Sequence, residues 1–536
     1  MANGAAADSG ASMGRVSRYG WYALFVLVLV YVINFIDRQI ISILAQDIKH
    51  GLGVDDAQIG FLYGTAFAVF YALFGIPLGR LADSWYRGRL IAVGLGLWST
   101  MTALSGFATS FGMLAFARIG VGIGEASASP AAYSMISDYF PKERRATALS
   151  IYSSGLYIGG ALSLPIGGFI LSRWNTAFPN ASEAPLGLAG WQAAFLAVGI
   201  PGLLLALWVL TLREPQRGAS DGLPQPVVRP NAWADFGREL TAILPPFTLF
   251  TAARSGTLSA NLLGLVAVAA VAGGLAWVTG DTPQWAAYGL GVYAILSWVQ
   301  VLRRRDPAVY RLIWGTPAVI SLAIAFGSIS FMTYAISFWA PPYAIRTFYA
   351  APTAAAHFIG GMSAAEEVAT ILGWSAAFAA ATGVILGGVI SDIWRRRSPR
   401  GRIYVNMLAV VLPAPAVWTM FTTDDVGIFY IASPIAQLFG SAWVGAAVAT
   451  LQDLVLPRMR ATAGATYVLG TTMVGLALGP YAAGKVSALT GDLATGIFAL
   501  YVVPPFTLLT LWLASRRLGE LEATKIERAR AAGEEV

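Results

Sequence analysis

The chain contains no cysteine and only two histidines, His50 and His357, in 536 residues. The first absence excludes a disulfide framework, a thiolate metal site and a cysteine nucleophile, and the second leaves almost no imidazole chemistry. Charge is scarce too: Asp, Glu, Lys and Arg make up 12% of the chain, against about 25% in soluble domains. An ordinary water-soluble enzyme is thereby excluded. No metal-ligand cluster, nucleophile with a base, or nucleotide loop is legible in the sequence, so no metal and no cofactor is expected. What is present is apolar. Hydrophobic residues reach 57%, which excludes disorder, and 58 Gly with 27 Pro in no triplet period exclude collagen. The remaining class is an all-α polytopic membrane protein.

A helix needs about 20 apolar residues to cross the hydrocarbon core, and fourteen candidate runs are present. The first six lie at 21–44, 57–79, 90–108, 113–138, 147–172 and 191–212, and the last six at 312–339, 364–391, 403–421, 426–450, 461–486 and 493–514. They carry the Gly, Ala and Ser that let membrane helices approach closely. Two more runs, 257–279 and 285–302, are separated by the turn Gly280, Asp281, Thr282, Pro283 and read as an inserted hairpin. The expected organisation is a disordered tail at 1–19, a six-helix bundle at 20–212, a linker at 213–256, the hairpin at 257–303, a second six-helix bundle at 312–515 and a tail at 516–536. The first segment has no apolar core, so it does not read as a cleaved signal peptide.

Orientation follows from the basic residues, which concentrate in cytoplasmic loops. With a cytoplasmic N-terminus, 29 of the 35 Lys and Arg fall on the cytoplasmic side, so both termini are expected there. The +7 net charge is then a matter of membrane orientation and implies no nucleic-acid partner. The excess of Arg over Lys and the Ala content suggest a bacterial source, and hence an inner (plasma) membrane.

The two halves share a repeat. An offset of 315 superposes Asp138 on Asp453, Arg145 on Arg460, Tyr152 on Tyr467, Gly155 on Gly470, Gly160 on Gly475 and Pro165 on Pro480, with Ala146, Thr147 and Ala148 matched as well. These nine identities over 28 positions exceed the roughly two that residue frequencies predict. Six plus six helices related by pseudo-two-fold symmetry follow, an architecture suited to alternating access.

A second correspondence joins GRLADSWYRGR at 79–89 to GGVISDIWRRR at 387–397, each at the cytoplasmic end of the second span of its half. Asp83 lies near Arg87 and Arg89, and Asp392 near Arg395, Arg396 and Arg397. Each acid can bond to a helix N-terminus of the opposite half in one conformation only, which makes Asp83, Arg87, Asp392 and Arg395 a candidate conformational latch. The plainer alternative is a solvated loop carrying orientation charge.

These loops and the repeat resemble the major facilitator superfamily across essentially the whole chain. More narrowly, NFIDR at 34–38, RIGVGIGEAS at 118–127 and SDYF at 137–140 look like the spinster-like transporters. That resemblance is strong over residues 20–172 and generic beyond about 312. It implies lysophospholipids and sphingoid lipids as cargo, and the family's intramembrane acid and Arg positions match Asp37, Arg38, Arg118 and Glu125. Ser84 stands where an Arg often follows the motif's Asp, and the hairpin is no part of the superfamily's common plan.

The same four residues stand out on physical grounds, because an ionised side chain at membrane depth is costly and marks a functional position by default. Asp37 and Arg38 in span one and Arg118 in span four fall at similar depth, and Glu125 lies about two turns deeper on the face of Arg118. Burial favours an acid's neutral form and a neighbouring Arg its charged form. An acid that gains and loses an Arg can therefore bind and release a proton, which fits Glu125 and Asp37. Arg38 and Arg118 can instead hold a phosphate or carboxylate head group through forked hydrogen bonds. The alternative is a permanent ion-pair brace between spans one and four. The aromatics Tyr63, Tyr157, Phe338, Trp339 and Tyr467 line a tail pocket or, more ordinarily, belong to core and belt. His50 and His357 lie in outer loops, away from this path.

Three functions are compatible with these features. The first is a carrier, working as a monomer in the bilayer, that moves an amphiphilic lipid such as a lysophospholipid or sphingoid phosphate by rocking of its halves and is coupled to protons. The second is a proton-coupled organic-anion symporter of the same superfamily, since such carriers also show an aromatic or Asn before Asp-Arg in span one and an acid in span four. The third is a lipid scramblase or membrane-embedded enzyme.

Overall fold

The computed structural model describes residues 17–218, 226–228, 230–350, 357–456 and 459–534, and it is built of helices. Most of the expected tail at 1–19, with Arg15, lies outside the described residues, as do Arg229 and Arg458. The first helix begins at Arg18, where the Ser17 hydroxyl accepts from the Gly20 amide at 3.0 Å and satisfies one orphan donor.

Among the described residues, eleven helices are long and apolar enough to cross a membrane. They coincide with eleven of the fourteen predicted runs. The other three runs are helical but depart from a simple span, each for a visible reason. Arg87–Ser105 is a single helix of 19 residues that opens on two arginines. The run at 113–138 forms Phe111–Glu125 and Ala128–Tyr139, broken immediately after Glu125. The run at 461–486 forms Arg460–Leu469, a π-helical stretch Gly470–Leu476, and Gly479–Thr490. Span one is also divided, into Arg18–Gln39 and Ile41–Leu52.

Two segments are more ordered than the sequence indicated. The linker contains an amphipathic helix, Ala232–Ile243, packed on span two, followed by Phe247–Arg254. The C-terminal segment continues the last span to Ala523 and turns into Lys525–Arg530. That turn is tied back by Lys525 Nζ to the Asp453 carbonyl at 2.8 Å and Arg528 Nη2 to Thr316 Oγ1 at 2.5 Å.

Two seams join the halves. In one, span two packs on span eleven: Gly60 lies so close to the Pro480 backbone that a Cβ would fall 2.5 Å from its carbonyl oxygen. Thr65 Oγ1 donates to the Ala477 carbonyl at 2.6 Å in the same seam. In the other, span five (Thr147–Ala177) packs on Ala364–Arg397, the second span of the C-terminal half. Between the bundles, Tyr63 stacks on Phe338 at 4.1 Å, and Ser42 Oγ donates to the Phe338 carbonyl at 2.6 Å. These contacts close the end of the molecule opposite the arginine-rich loops.

Candidate functional site

The four intramembrane charges converge where two helices are interrupted. Asp37 and Arg38 precede the break in span one at Ile40, and Glu125 is the last residue before the break in span four. Arg38 donates to one oxygen of Glu125 from two nitrogens, Nη2 at 2.5 Å and Nε at 3.2 Å. Its guanidinium lies over the rings of Phe35, Phe67 and Tyr71 at 4.8, 4.5 and 5.2 Å, contacts that hold a charge in an apolar setting. Arg118 donates from Nη1 to the Asp37 carbonyl at 3.3 Å and also sits over Phe67, 5.7 Å away. Asp37 and Arg118 are fully buried, Glu125 nearly so, and Arg38 is 8% exposed.

A cavity of about 150 Å³ lies between the halves. Phe35 and Gln39, which flank Arg38 in the chain, line it together with the polar side chains of Ser42, Tyr157, Ser337 and Gln437. Leu156, Leu164, Leu372 and Ala376 add apolar wall. Of the aromatics singled out in the sequence, Tyr157 lines this cavity, whereas Tyr63, Phe338 and Trp339 are wholly buried core.

Three of the latch residues, Arg87, Asp392 and Arg395, find partners within their own halves in this conformation. Arg87 is fully buried, bonding Asp138 at 2.5 Å, Glu214 at 2.6 Å, Ser134 at 2.8 Å and the Pro215 carbonyl at 2.8 Å, all within the N-terminal half and its exit. Arg395 holds Glu522 at 2.5 Å, and Asp392 pairs with Arg402 at 3.4 Å, both within the C-terminal half. Arg217, from the segment after span six, caps the 79–89 turn by donating to the carbonyls of Ala82 and Trp85 at 2.8 and 2.5 Å.

Sequence reasoning missed a second charged cluster at the opposite end. Arg346 grips Asp56 bidentately at 2.5 and 2.6 Å, Lys49 reaches it at 2.9 Å, and Ser487 Oγ donates to it at 2.7 Å. Asp56 begins span two, and Arg346 and Ser487 belong to the other half. His357 is likewise engaged: its Nδ1 lies 3.0 Å from Glu367, which also accepts from Tyr349 at 2.5 Å.

Comparison with known proteins places these features in a family. The Major Facilitator Superfamily model matches residues 27–480. An MFS-type efflux pump of Mycolicibacterium smegmatis is 28% identical over 508 residues, covering 93% of this chain and 94% of that protein. A probable galactarate/D-glucarate transporter of Bacillus subtilis is 30% identical over 211 residues, 38% of this chain and 43% of that one. Among solved structures, a bacterial homolog of the human lysosomal transporter Spinster, in an inward-facing and unoccupied conformation, superposes with a TM-score of 0.64. It is 25% identical, and the match covers 96% of this chain and 98% of that one.

Proposed function

The chain belongs to the major facilitator superfamily and is a multi-pass membrane transporter, and from that premise we propose that it carries an amphiphilic lipid by alternating access, driven by protons. The observation that supports this reading is the buried Arg38–Glu125 pair, whose helix neighbours Phe35 and Gln39 line a cavity with both polar and apolar walls. An amphiphile needs both: Gln39, Ser42, Ser337 and Gln437 for a head group, Leu156, Leu164, Leu372 and Ala376 for a tail. A lysophospholipid or sphingoid phosphate has that form.

In this reading Glu125 and Asp37 exchange protons, and Arg38 and Arg118 recognise the anionic head group. A phosphate entering the cavity competes with Glu125 for Arg38; once released, Glu125 takes up a proton and the pair cannot reform until the cargo leaves. Binding and protonation are thereby linked through one guanidinium. The closed seams lie at the end away from the arginine-rich loops, so with those loops in the cytoplasm of a bacterial inner membrane the conformation is inward-open. The loops at 79–89 and 387–397, through Asp83, Arg87, Asp392 and Arg395, latch one of the two conformations.

A second reading has support of its own. The sugar-acid transporter relative and the two buried arginines fit a small carboxylate as cargo. Uptake of labelled lysophospholipid into proteoliposomes under an imposed pH gradient separates the two. Lipid flux that follows the gradient and loses its coupling in Glu125→Gln supports the first; accumulation of a sugar acid with no lipid flux supports the second. Lipid flux indifferent to the gradient in parent and variant alike indicates a scramblase-like facilitator.

A further inference from the structure

The hairpin, helices Leu258–Thr279 and Thr282–Arg305, is placed on one seam only. The hydrophobic window of its first helix has no residue buried in the protein, so that helix faces lipid, while the second packs against span two and meets Met473 of the π-helical stretch of span eleven. Gly291 marks the point of contact: a Cβ there would lie 2.7 Å from Met473 Cε and 2.9 Å from Val69 Cγ1. One residue of the hairpin thus touches both halves. Val69, Ala72, Leu73, Ala294, Leu469 and Met473 form a single apolar cluster at this level.

Both ends of the hairpin are tied. At the turn, Asp281 pairs with Lys485 at 2.8 Å and accepts from Tyr481 at 2.7 Å, and Lys485 also donates to the Thr279 carbonyl at 2.5 Å. These partners belong to the C-terminal half. At the other end, Arg305 bonds Glu239 of the linker helix, and Glu239 pairs with Arg80 of span two at 3.8 Å. The hairpin therefore straps one half to the other across the seam.

The second seam is built differently. Toward the closed end it is joined by Gly168 against Ala365 and by Arg173 and Glu366 at 3.8 Å. Nearer the arginine-rich end, beyond the close approach of Gly373 to the Ala161 carbonyl, Leu156, Tyr157, Ala376, Ala377 and Ala380 line the central cavity. At the corresponding depth of the first seam stand Val69, Met473 and the hairpin.

We propose that the inserted hairpin is a one-sided seal: it blocks lateral access from the bilayer through the span two and span eleven seam, and so confines tail entry and exit to the seam between span five and Ala364–Arg397. This deepens the lipid-carrier reading and rests on it for the cargo, but the seal itself is a property of the fold and has its own test. A carrier for a tailed molecule gains from one portal, because a single route fixes the direction in which the tail leaves the cavity.

The test is photolabelling of the intact protein in proteoliposomes, with sites mapped by mass spectrometry. A phospholipid carrying a diazirine in its acyl chain reports which seam meets bilayer lipid. The expected result is label on Leu156 and Ala376 and at least tenfold less on Val69 and Met473. Asp281→Ala, which cuts the turn from span eleven, is expected to raise labelling of Val69 and Met473 several-fold while leaving Leu156 and Ala376 unchanged. Equal labelling of both seams in the parent protein overturns the seal, and needs no variant to fold. A diazirine lysophospholipid then tests the cargo. Label at Leu156 and Ala376 that excess unlabelled lysophospholipid displaces supports one portal for cargo. Label that it fails to displace, with bulk lipid still excluded from Val69 and Met473, leaves the seal standing and removes the lipid-carrier reading.

Discussion

Arg346 and Asp56 lie 290 positions apart in the chain and meet in a two-nitrogen grip that joins the halves at their closed end. Asp56 is 2% exposed and also engages Lys49 and Ser487, so its removal leaves two cations facing each other without a counterion. Breaking a buried pair from one side costs about 3–5 kcal/mol. Part of that cost falls on the closed arrangement alone, because the pair cannot persist once the halves separate there. If about 2.7 kcal/mol of it is specific to this state, the population ratio moves about a hundredfold. Asp56→Asn is expected to shift the protein toward opening at that end. Spin labels on introduced cysteines, which have no native competitor in this chain, measure the distance distribution across it; an unchanged distribution refutes the gate.

Close helix approach in the span two and span eleven seam predicts a contrast between two glycines of one helix pair. A methyl at Gly60 would stand 2.5 Å from the Pro480 carbonyl oxygen and 2.7 Å from Tyr481 Cα, both backbone atoms that cannot swing aside. Gly60→Ala is expected to lose about 1–3 kcal/mol by overpacking. Gly75→Ala meets nothing within 4 Å and is expected to be neutral or to gain up to about 1 kcal/mol from helix propensity. Thermal unfolding of the two purified variants checks both signs.

The fold was legible because the bilayer demands long apolar runs, and eleven of those runs returned as single helices or kinked pairs long and apolar enough to span. The repeat was legible too, but its copies have diverged in shape. Gly155 and Gly160 lie in the unbroken helix Lys142–Ala177, whereas their counterparts Gly470 and Gly475 lie within the π-helical stretch Gly470–Leu476. Identity at matched positions does not report such a change of helix type. The charged site was legible through the cost of charge at depth, yet its pairing was not. Rise per residue placed Arg38 beside Arg118 and above Glu125; the long Arg38 side chain spans that interval and takes Glu125. Asp56 gave no signal, because a carboxylate at a helix end is ordinary and only the packing of the halves brings Arg346 to it.

The two basic turns predict unequal consequences despite their matching positions. Arg87 is fully buried among two carboxylates, a hydroxyl and a carbonyl, while the Arg395 side chain is 27% exposed. Arg87→Ala strands Asp138 and Glu214 and is expected to cost about 3–5 kcal/mol. Arg395→Ala, partly screened by solvent, is expected to cost about 1 kcal/mol or less. Unfolding temperature separates them. A comparable loss in both would show that the repeat preserves energetic as well as positional symmetry.

Glu125 and Arg38 make the sharpest prediction for the mechanism. Removing either charge alone leaves the other buried near mid-membrane, whereas removing both leaves a neutral pair of similar volume. Glu125→Gln and Arg38→Gln are each expected to lose about 3–5 kcal/mol, and the double variant to lose less than the sum, by a coupling energy of about 1–3 kcal/mol in a double-mutant cycle. Transport should not follow the same arithmetic. If the pair exchanges a proton for cargo, Glu125→Gln keeps downhill lipid exchange but no longer concentrates cargo under a pH gradient, and adding the second substitution does not restore coupling. A double variant that recovers gradient-driven uptake would assign the pair to bracing spans one and four, with the proton site elsewhere.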